Sequence, residues 1–433
     1  MRIIISTVLL FLIGINTAPA QPQKDMIKIK SRYGFEVERR TAINFNVFVN
    51  YHAENWQPQL VVAVNIQNDA LQFTKQGDQY LAEYQISTAI RRDKRAVYKQ
   101  TWTEQVLLDN FELTNAKDVF QYNQYYLNHF DADGGNLLSP GEYECLLEVR
   151  DLTSRKTYQS TRSYKIPDQG KSNVVHSEIA FLIPADEDEF RLAATDKAYD
   201  FARPFGAFVR IGTAIADSIT VNARIFSIAK EGDRLYYQRF FKVGSDTTVT
   251  DIRFPMPVDS LREGPYRLRL SIPTESANVD VEREFSIHWF DKATYLYKYD
   301  LAIRPMQYIL TRDEYKQATS LSYNDLEIWF NNYWKQRDPS PGRQYNELLT
   351  LFFERVQKAN VEFSLRYKEG WETDRGKILI LYGEPDRIEN KRFAIDQKPH
   401  IIWVYESQNL QFIFVDEKKD GDFTLLTEDA KGQ

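Results

Sequence analysis

Short strand-like apolar segments separated by turn formers fill the chain up to about residue 290, and this pattern limits it most. Ile43, Phe45, Val47, Val49 and Tyr51 alternate with mostly polar neighbours, the signature of a strand with one wet face. Segments 60–66, 80–86, 97–108, 143–149 and 156–166 are further strand candidates. Short strands joined by turn formers specify an antiparallel β-sandwich rather than a parallel sheet. With 433 residues, 27% charged and 43% hydrophobic, the chain is neither disordered nor fibrous. At about 100–200 residues per domain the length predicts two to four domains.

The β region carries its own repeat. Leu138-Ser-Pro-Gly141-Glu-Tyr143 and Leu261-Arg-Glu-Gly264-Pro-Tyr266 share the spacing L-x-x-G-x-Y, each leading into a strand. Glycine permits the turn, and the tyrosine packs over the sheet while its hydroxyl finds a partner. Such turns recur in immunoglobulin-like and fibronectin-like modules. The expectation is two tandem immunoglobulin-like antiparallel β-sandwiches, 21–167 and 174–290, joined by a linker at 166–172.

Near residue 293 the period changes. Ser322 and Asp325 open a helix in the manner of a capping box, followed by Leu326, Trp329, Phe330 and Tyr333 at helical spacing. Two prolines and a glycine between Arg337 and Gly342 stop it. Tyr345, Leu348, Leu349, Phe352, Phe353, Val356 and Ala359 form one stripe of a second helix. Strands are then expected at 377–382, 400–405, 410–416 and 422–426. Residues 293–433 thus read as an α+β domain, helices first and an antiparallel sheet after.

The first twenty residues read as a signal peptide. Arg2 precedes an apolar run to Ile15, and Ala18-Pro19-Ala20 gives a small-x-small cleavage pattern before Gln21. The run is short of the roughly 20 residues a membrane span needs, and no later segment qualifies. Residues 21–433 hold 54 basic and 61 acidic residues, a net charge of −7, because only Arg2 of the 55 basic residues is removed. That acidity disfavours nucleic acid, which calls for a basic stripe. The expected destination is periplasmic or extracellular. Cys145, alone in the chain, forms no internal disulfide and reads as a buried structural thiol.

The densest cluster is Gly370-Trp371-Glu372-Thr373-Asp374-Arg375-Gly376, followed by Lys377-Ile-Leu-Ile-Leu-Tyr382 and Gly383-Glu384-Pro385-Asp386. Its glycines fit tight turns or close backbone approach. Trp371 is a large anchor with one N–H to satisfy, and Thr373 and Asp374 accept backbone N–H bonds in turns. Arg375 suits a bidentate pair with Asp338, Asp374 or Asp386. The set describes a rigid turn–strand–turn element. A ligand or partner cleft is the functional alternative, and catalysis lacks an activated nucleophile or acid–base pair. The stretch resembles the GWxTD-domain family, with flanks at Trp334–Gly342, Asn346-Glu347-Leu348 and Trp403-Val-Tyr405, over roughly residues 322–427. That resemblance implies an exported bacterial protein whose biochemical role is unassigned.

Other chemistry is sparse. Asp131, Asp133 and Glu142 occupy the first, third and twelfth positions of a calcium-like loop, but Asn136 stands where the loop needs glycine. The five histidines (52, 129, 176, 288 and 400) lack metal-site spacing, and no cofactor fingerprint occurs. The 186–189 acidic run reads as a solvated loop, and the aromatic stretch 122–130 as strand with a possible use in stacking sugars. The chain is therefore expected to be a non-enzymatic envelope or surface module acting on other envelope proteins. The alternatives are a glycan-binding or glycan-processing protein and, more weakly, a calcium-dependent adhesion module.

Overall fold

A computed structural model describes residues 26–52, 56–117, 119–127, 139–168, 175–185, 190–195, 197–201, 203–212, 215–245, 249–274, 278–290, 292–391 and 398–430. The signal-peptide segment, Asp131, Asp133, His129, the 186–189 run and most of the expected linker lie outside the described residues. The chain divides into a β unit, essentially 38–290, and a C-terminal unit formed by 29–37 together with 291–433. Strands predominate, and most pairings are antiparallel.

Strands β1 (Met26–Lys30) and β2 (Glu36–Arg40) form a two-stranded sheet. In the β unit, β3 (Ile43–Tyr51), β4 (Pro58–Gln67) and β8 (Phe120–Leu127) make a sheet ordered β3-β4-β8. Facing it are β5 (Thr74–Gln76), β6 (Gln79–Arg92), β7 (Arg95–Leu108), β9 (Gly141–Asp151) and β10 (Thr157–Ile166), with β6 between β7 and β9, and β10 beyond β9. Helix α1 (Phe111–Thr114) is a single turn between β7 and β8. One core takes Phe45, Leu60, Val62, Val64 and Ile66 from the first sheet and Ile86, Cys145, Leu147 and Val149 from the second. The other face of β4 is buried too, because Val61 and Ala63 join Phe48, Ala180, Leu192 and Phe208 in a second cluster. Burial on both faces explains the unbroken Leu60-Val-Val-Ala-Val64 run, where a one-sided strand would alternate.

Residues 180–288 form two further sheets. Strands β11 (Ala180–Pro184), β12 (Phe190–Leu192), β14 (Gly206–Ile211) and β17 (Thr250–Pro255) form a sheet ordered β12-β11-β14-β17. Strands β13 (Ala198–Asp200), β15 (Ile215–Ser227), β16 (Arg234–Ser245), β18 (Gly264–Pro273) and β19 (Asn278–His288) form another, ordered β13-β19-β18-β15-β16. The two L-x-x-G-x-Y turns are alike in detail. Gly141 pairs with Ile166 and Gly264 with Ile287. The Tyr143 hydroxyl donates to the Ser139 carbonyl at 2.9 Å, and that of Tyr266 to the Arg262 carbonyl at 3.0 Å, each four residues upstream. Both glycines have positive φ, +155° and +146°. Cys145 is buried, which pushes its thiol up to about 12, the inert behaviour of a packed cysteine.

The C-terminal unit contains helices α2 (Tyr299–Ala302), α3 (Arg312–Thr319), α4 (Tyr323–Gln336), α5 (Glu347–Phe363) and α6 (Asp374–Tyr382). They pack with the antiparallel sheet β20 (Arg387–Lys391), β21 (His400–Tyr405), β22 (Leu410–Val415) and β23 (Thr424–Ala430). Ser322 caps α4, its hydroxyl accepting from Asp325 N, and Asn346 caps α5 by accepting from Leu349 N at 3.0 Å. Phe330, Trp334, Phe353, Val356, Trp371, Leu379, Trp403 and Phe414 share one core. The strand expected at 377–382 is instead α6. Thr373 starts the helix by accepting from Gly376 N at 3.0 Å, and Ile378, Leu379 and Ile380 are all buried against neighbours that include α5 and β23. No helix among the described residues is long and apolar enough to cross a membrane.

Candidate functional site

The Gly370–Gly376 stretch is a 3-10 turn (Gly370–Glu372) passing directly into α6. Its place is set by backbone contact. A Cβ on Gly370 would lie 1.9 Å from the Ala359 carbonyl oxygen of α5, and one on Gly376 would lie 2.0 Å from the Gly370 carbonyl oxygen. Only glycine lets these three backbones stack. Gly383 ends α6 at φ +86°, ψ −159°, a conformation nearly reserved for glycine.

The polar groups of the turn are turned inward. Gly370 N donates to Ser364 Oγ at 2.9 Å and Trp371 N to Asn360 Oδ1 at 3.1 Å, both acceptors belonging to the end of α5 and its cap. Thr373 Oγ1 donates to the Gly370 carbonyl at 2.7 Å while accepting from Gly376 N. Asp374 Oδ2 accepts from Leu425 N at 2.8 Å, fixing the start of α6 to β23. Arg375, 8% exposed, lies between the rings of Phe363 and Phe423 at 4.6 and 4.7 Å and donates from Nη2 to the Gly421 carbonyl at 3.3 Å. The carboxylates expected to pair with it have tasks of their own. Asp338 accepts from Ser340 N at 2.9 Å and Asp386 from Glu406 N at 2.6 Å.

Trp371 and Trp403 are 2% and 3% exposed. Trp403 packs on Phe363 and Phe414. With both rings inside the core, the platform on which a sugar would stack is absent from this turn. Pro385 is half-buried and Asp386 exposed in the turn that follows Gly383, and the Gly383 carbonyl accepts from Tyr405 Oη at 2.8 Å. Glu142, the one described residue of the calcium-like set, is exposed on β9 opposite Lys165.

The residue that organises the site precedes the signature. Glu369 Oε2 accepts from the Trp371 indole Nε1 at 2.6 Å and from the Tyr295 hydroxyl. The Tyr33 hydroxyl lies 2.7 Å from Tyr295 Oη and 3.1 Å from the same carboxylate oxygen; with one proton it donates to one of them at a time. Glu369 Oε1 faces Arg32 Nη2 at 3.3 Å and Arg304 Nη1 at 3.7 Å. A capping box closes the turn, Glu369 N donating to Glu372 Oε2 at 3.0 Å. Tyr308 Oη adds a bond to the Trp371 carbonyl at 3.0 Å.

Burial alone would raise the Glu369 pKa, but the bonds from Tyr295 and Trp371 and the charges of Arg304 and Arg32 together hold it below the ordinary carboxylate value. Burial, then the bond to Glu369, raises Tyr295; burial likewise dominates at Tyr33. A carboxylate fixed as an anion among such donors anchors structure and is a poor proton carrier near neutrality. Sequence reasoning missed Glu369 and its partners Tyr33, Tyr295, Arg32 and Arg304. The available signal was local, an acid three residues before Glu372 at the mouth of the signature. No curated protein matches the chain. Residues 281–429 match the family model for the GWxTD domain, so this segment of the chain is a GWxTD domain.

Proposed function

We propose that this is an exported, non-enzymatic envelope or surface protein in which tandem immunoglobulin-like β-sandwiches, 21–167 and 174–290, present the GWxTD domain to other envelope proteins. The observation that carries the reading is the use made of the signature: Trp371, Thr373, Asp374 and Arg375 are spent on internal bonds and packing, so the motif builds a rigid surface rather than a reacting centre. The tandem modules are supported by the repeated tyrosine hydrogen bond. They are supported also by the strand orders β3-β4-β8 with β10-β9-β6-β7, and β11-β14-β17 with β19-β18-β15-β16, the two-sheet pattern of such modules. Export rests on Arg2, the apolar run and Ala18-Pro19-Ala20.

Two experiments test the reading. Expression of the full precursor should yield an exported chain beginning at Gln21; retention of an unprocessed chain refutes export. Arg375→Ala should lower the melting temperature of the full chain and reduce partner capture only in proportion to the unfolded fraction. A normal melt with lost capture would place a binding cleft at the motif, and cross-linking in native envelope that repeatedly recovers no protein would overturn the interaction role.

A further inference from the structure

Strand β16 ends its sheet. It pairs with β15 on one side, and no strand among the described residues pairs with its outer edge. The strand is twelve residues long, and 234–236, 238–240, 242 and 244 are exposed. Long free edges are a liability that folded proteins usually shorten or cover. This one carries exposed apolar side chains instead, with Phe240 at 61% and Leu235 at 54%.

Its charge has one sign. Arg234, Arg239 and Lys242 lie on β16, and no Asp or Glu occurs between 234 and 245. Arg234 is engaged by Glu231 at 2.7 Å, whereas Arg239 and Lys242 have no ion pair among the described residues. Over 237–243 the pairing with β15 is regular, so side chains alternate cleanly. Phe241 stacks on Phe254 on the core side at 5.6 Å, leaving Phe240 and Lys242 together on the opposite face. A second copy of β16 laid along this edge would gather cations of both chains into one seam in a chain that is acidic overall.

We propose that the β16 edge is a strand-addition site for an extended acidic segment of a partner protein. Its backbone would continue the ladder, an apolar residue would cover Phe240, and carboxylates would face Lys242 and Arg239. Backbone pairing supplies affinity in this mode and alternate side chains supply selectivity. The inference does not depend on the role proposed for the GWxTD domain.

The test uses the full chain and a labelled peptide of about ten residues repeating Glu-Val-Val-Glu, which presents carboxylates and apolar side chains in alternation on each face, read by fluorescence anisotropy at low ionic strength. Binding should be saturable and should weaken as ionic strength rises to roughly 0.15 M. It should be lost when the peptide is N-methylated along its pairing edge. Arg239→Glu combined with Lys242→Glu should weaken it by roughly tenfold or more and confer binding of the lysine–valine counterpart. An unchanged melting temperature shows that the double variant is folded. Absence of saturable binding overturns the proposal, as does binding that survives N-methylation or charge reversal. Self-association of the full chain that Phe240→Lys abolishes would assign the edge to a second copy and also overturn it.

Discussion

Replacing Glu369 by glutamine keeps the shape of the side chain and removes its charge, so Glu369→Gln isolates what the anion contributes. Two bonds matter, from Trp371 Nε1 and from Tyr295 Oη. A hydrogen bond to a charged group contributes about 1.5–3 kcal/mol and a neutral one about 0.5–1.5, so neutralisation costs about 1–1.5 kcal/mol at each. Arg32 and Arg304 are 50% and 38% exposed, so solvent screening limits their share to about 1 kcal/mol at most. The sum is about 2–4 kcal/mol of local stability. Amide hydrogen exchange of 369–382 in the full chain measures it, and the protected amides should exchange roughly 30–900-fold faster. Tyr33→Phe should cost about 1 kcal/mol alone and distinctly less in the Glu369→Gln background, because the two residues meet through one oxygen. The folded pKa of Glu369 lies below its unfolded value. Its contribution is therefore complete above about pH 4.3 and drains away as pH falls through the depressed value; the variant should flatten that acid limb. Exchange unchanged within the range of surface substitutions, or strictly additive effects of the two changes, would refute the anchor.

Gly376→Ala and Gly370→Ala should each abolish or severely destabilise folding, because the new Cβ meets backbone oxygen at 2.0 and 1.9 Å, whereas Gly342→Ala, with nothing within 4 Å, should leave the melting temperature unchanged. Thr373→Ala should lower stability by about 1 kcal/mol through the lost helix cap, with Thr373→Ser restoring most of it; denaturant titration checks both. The chain should also lose stability in alkali. Burial raises Tyr98, Tyr266 and Tyr308 to about 12, so their contribution is complete below the unfolded value near pH 10 and is lost as pH climbs through the folded one. Circular dichroism across that interval should show unfolding, and persistence of native signal above pH 12 would contradict the buried tyrosines.

Legibility in the sequence followed the range of the forces involved. The α5 stripe was readable because one face of that helix meets the core and the other meets water, which preserves a 3.6-residue period. Helix α6 was misread for the converse reason. Ile378, Leu379 and Ile380 are consecutive and all buried, and an apolar run enclosed on most sides has no period that separates helix from strand. The decisive information lay in Thr373, whose hydroxyl caps the helix, and in Gly376, whose missing side chain lets α6 start against the preceding turn. The L-x-x-G-x-Y repeat was legible because glycine, turn and hydroxyl acceptor lie within a few residues. Glu369 was not, because its partners outside the turn are remote: Tyr33 and Tyr295 are 336 and 74 residues away, and Arg32 and Arg304 are likewise far outside the signature. Tyr33 reaches it because residues 29–37 cluster with the C-terminal unit although they precede the β unit. The GWxTD domain therefore takes a hydrogen-bond partner from outside its matched span of 281–429. A chain cut to that span should leave the Glu369 site short of one tyrosine and one arginine, and so begin with the deficit that Tyr33→Phe produces in the intact protein.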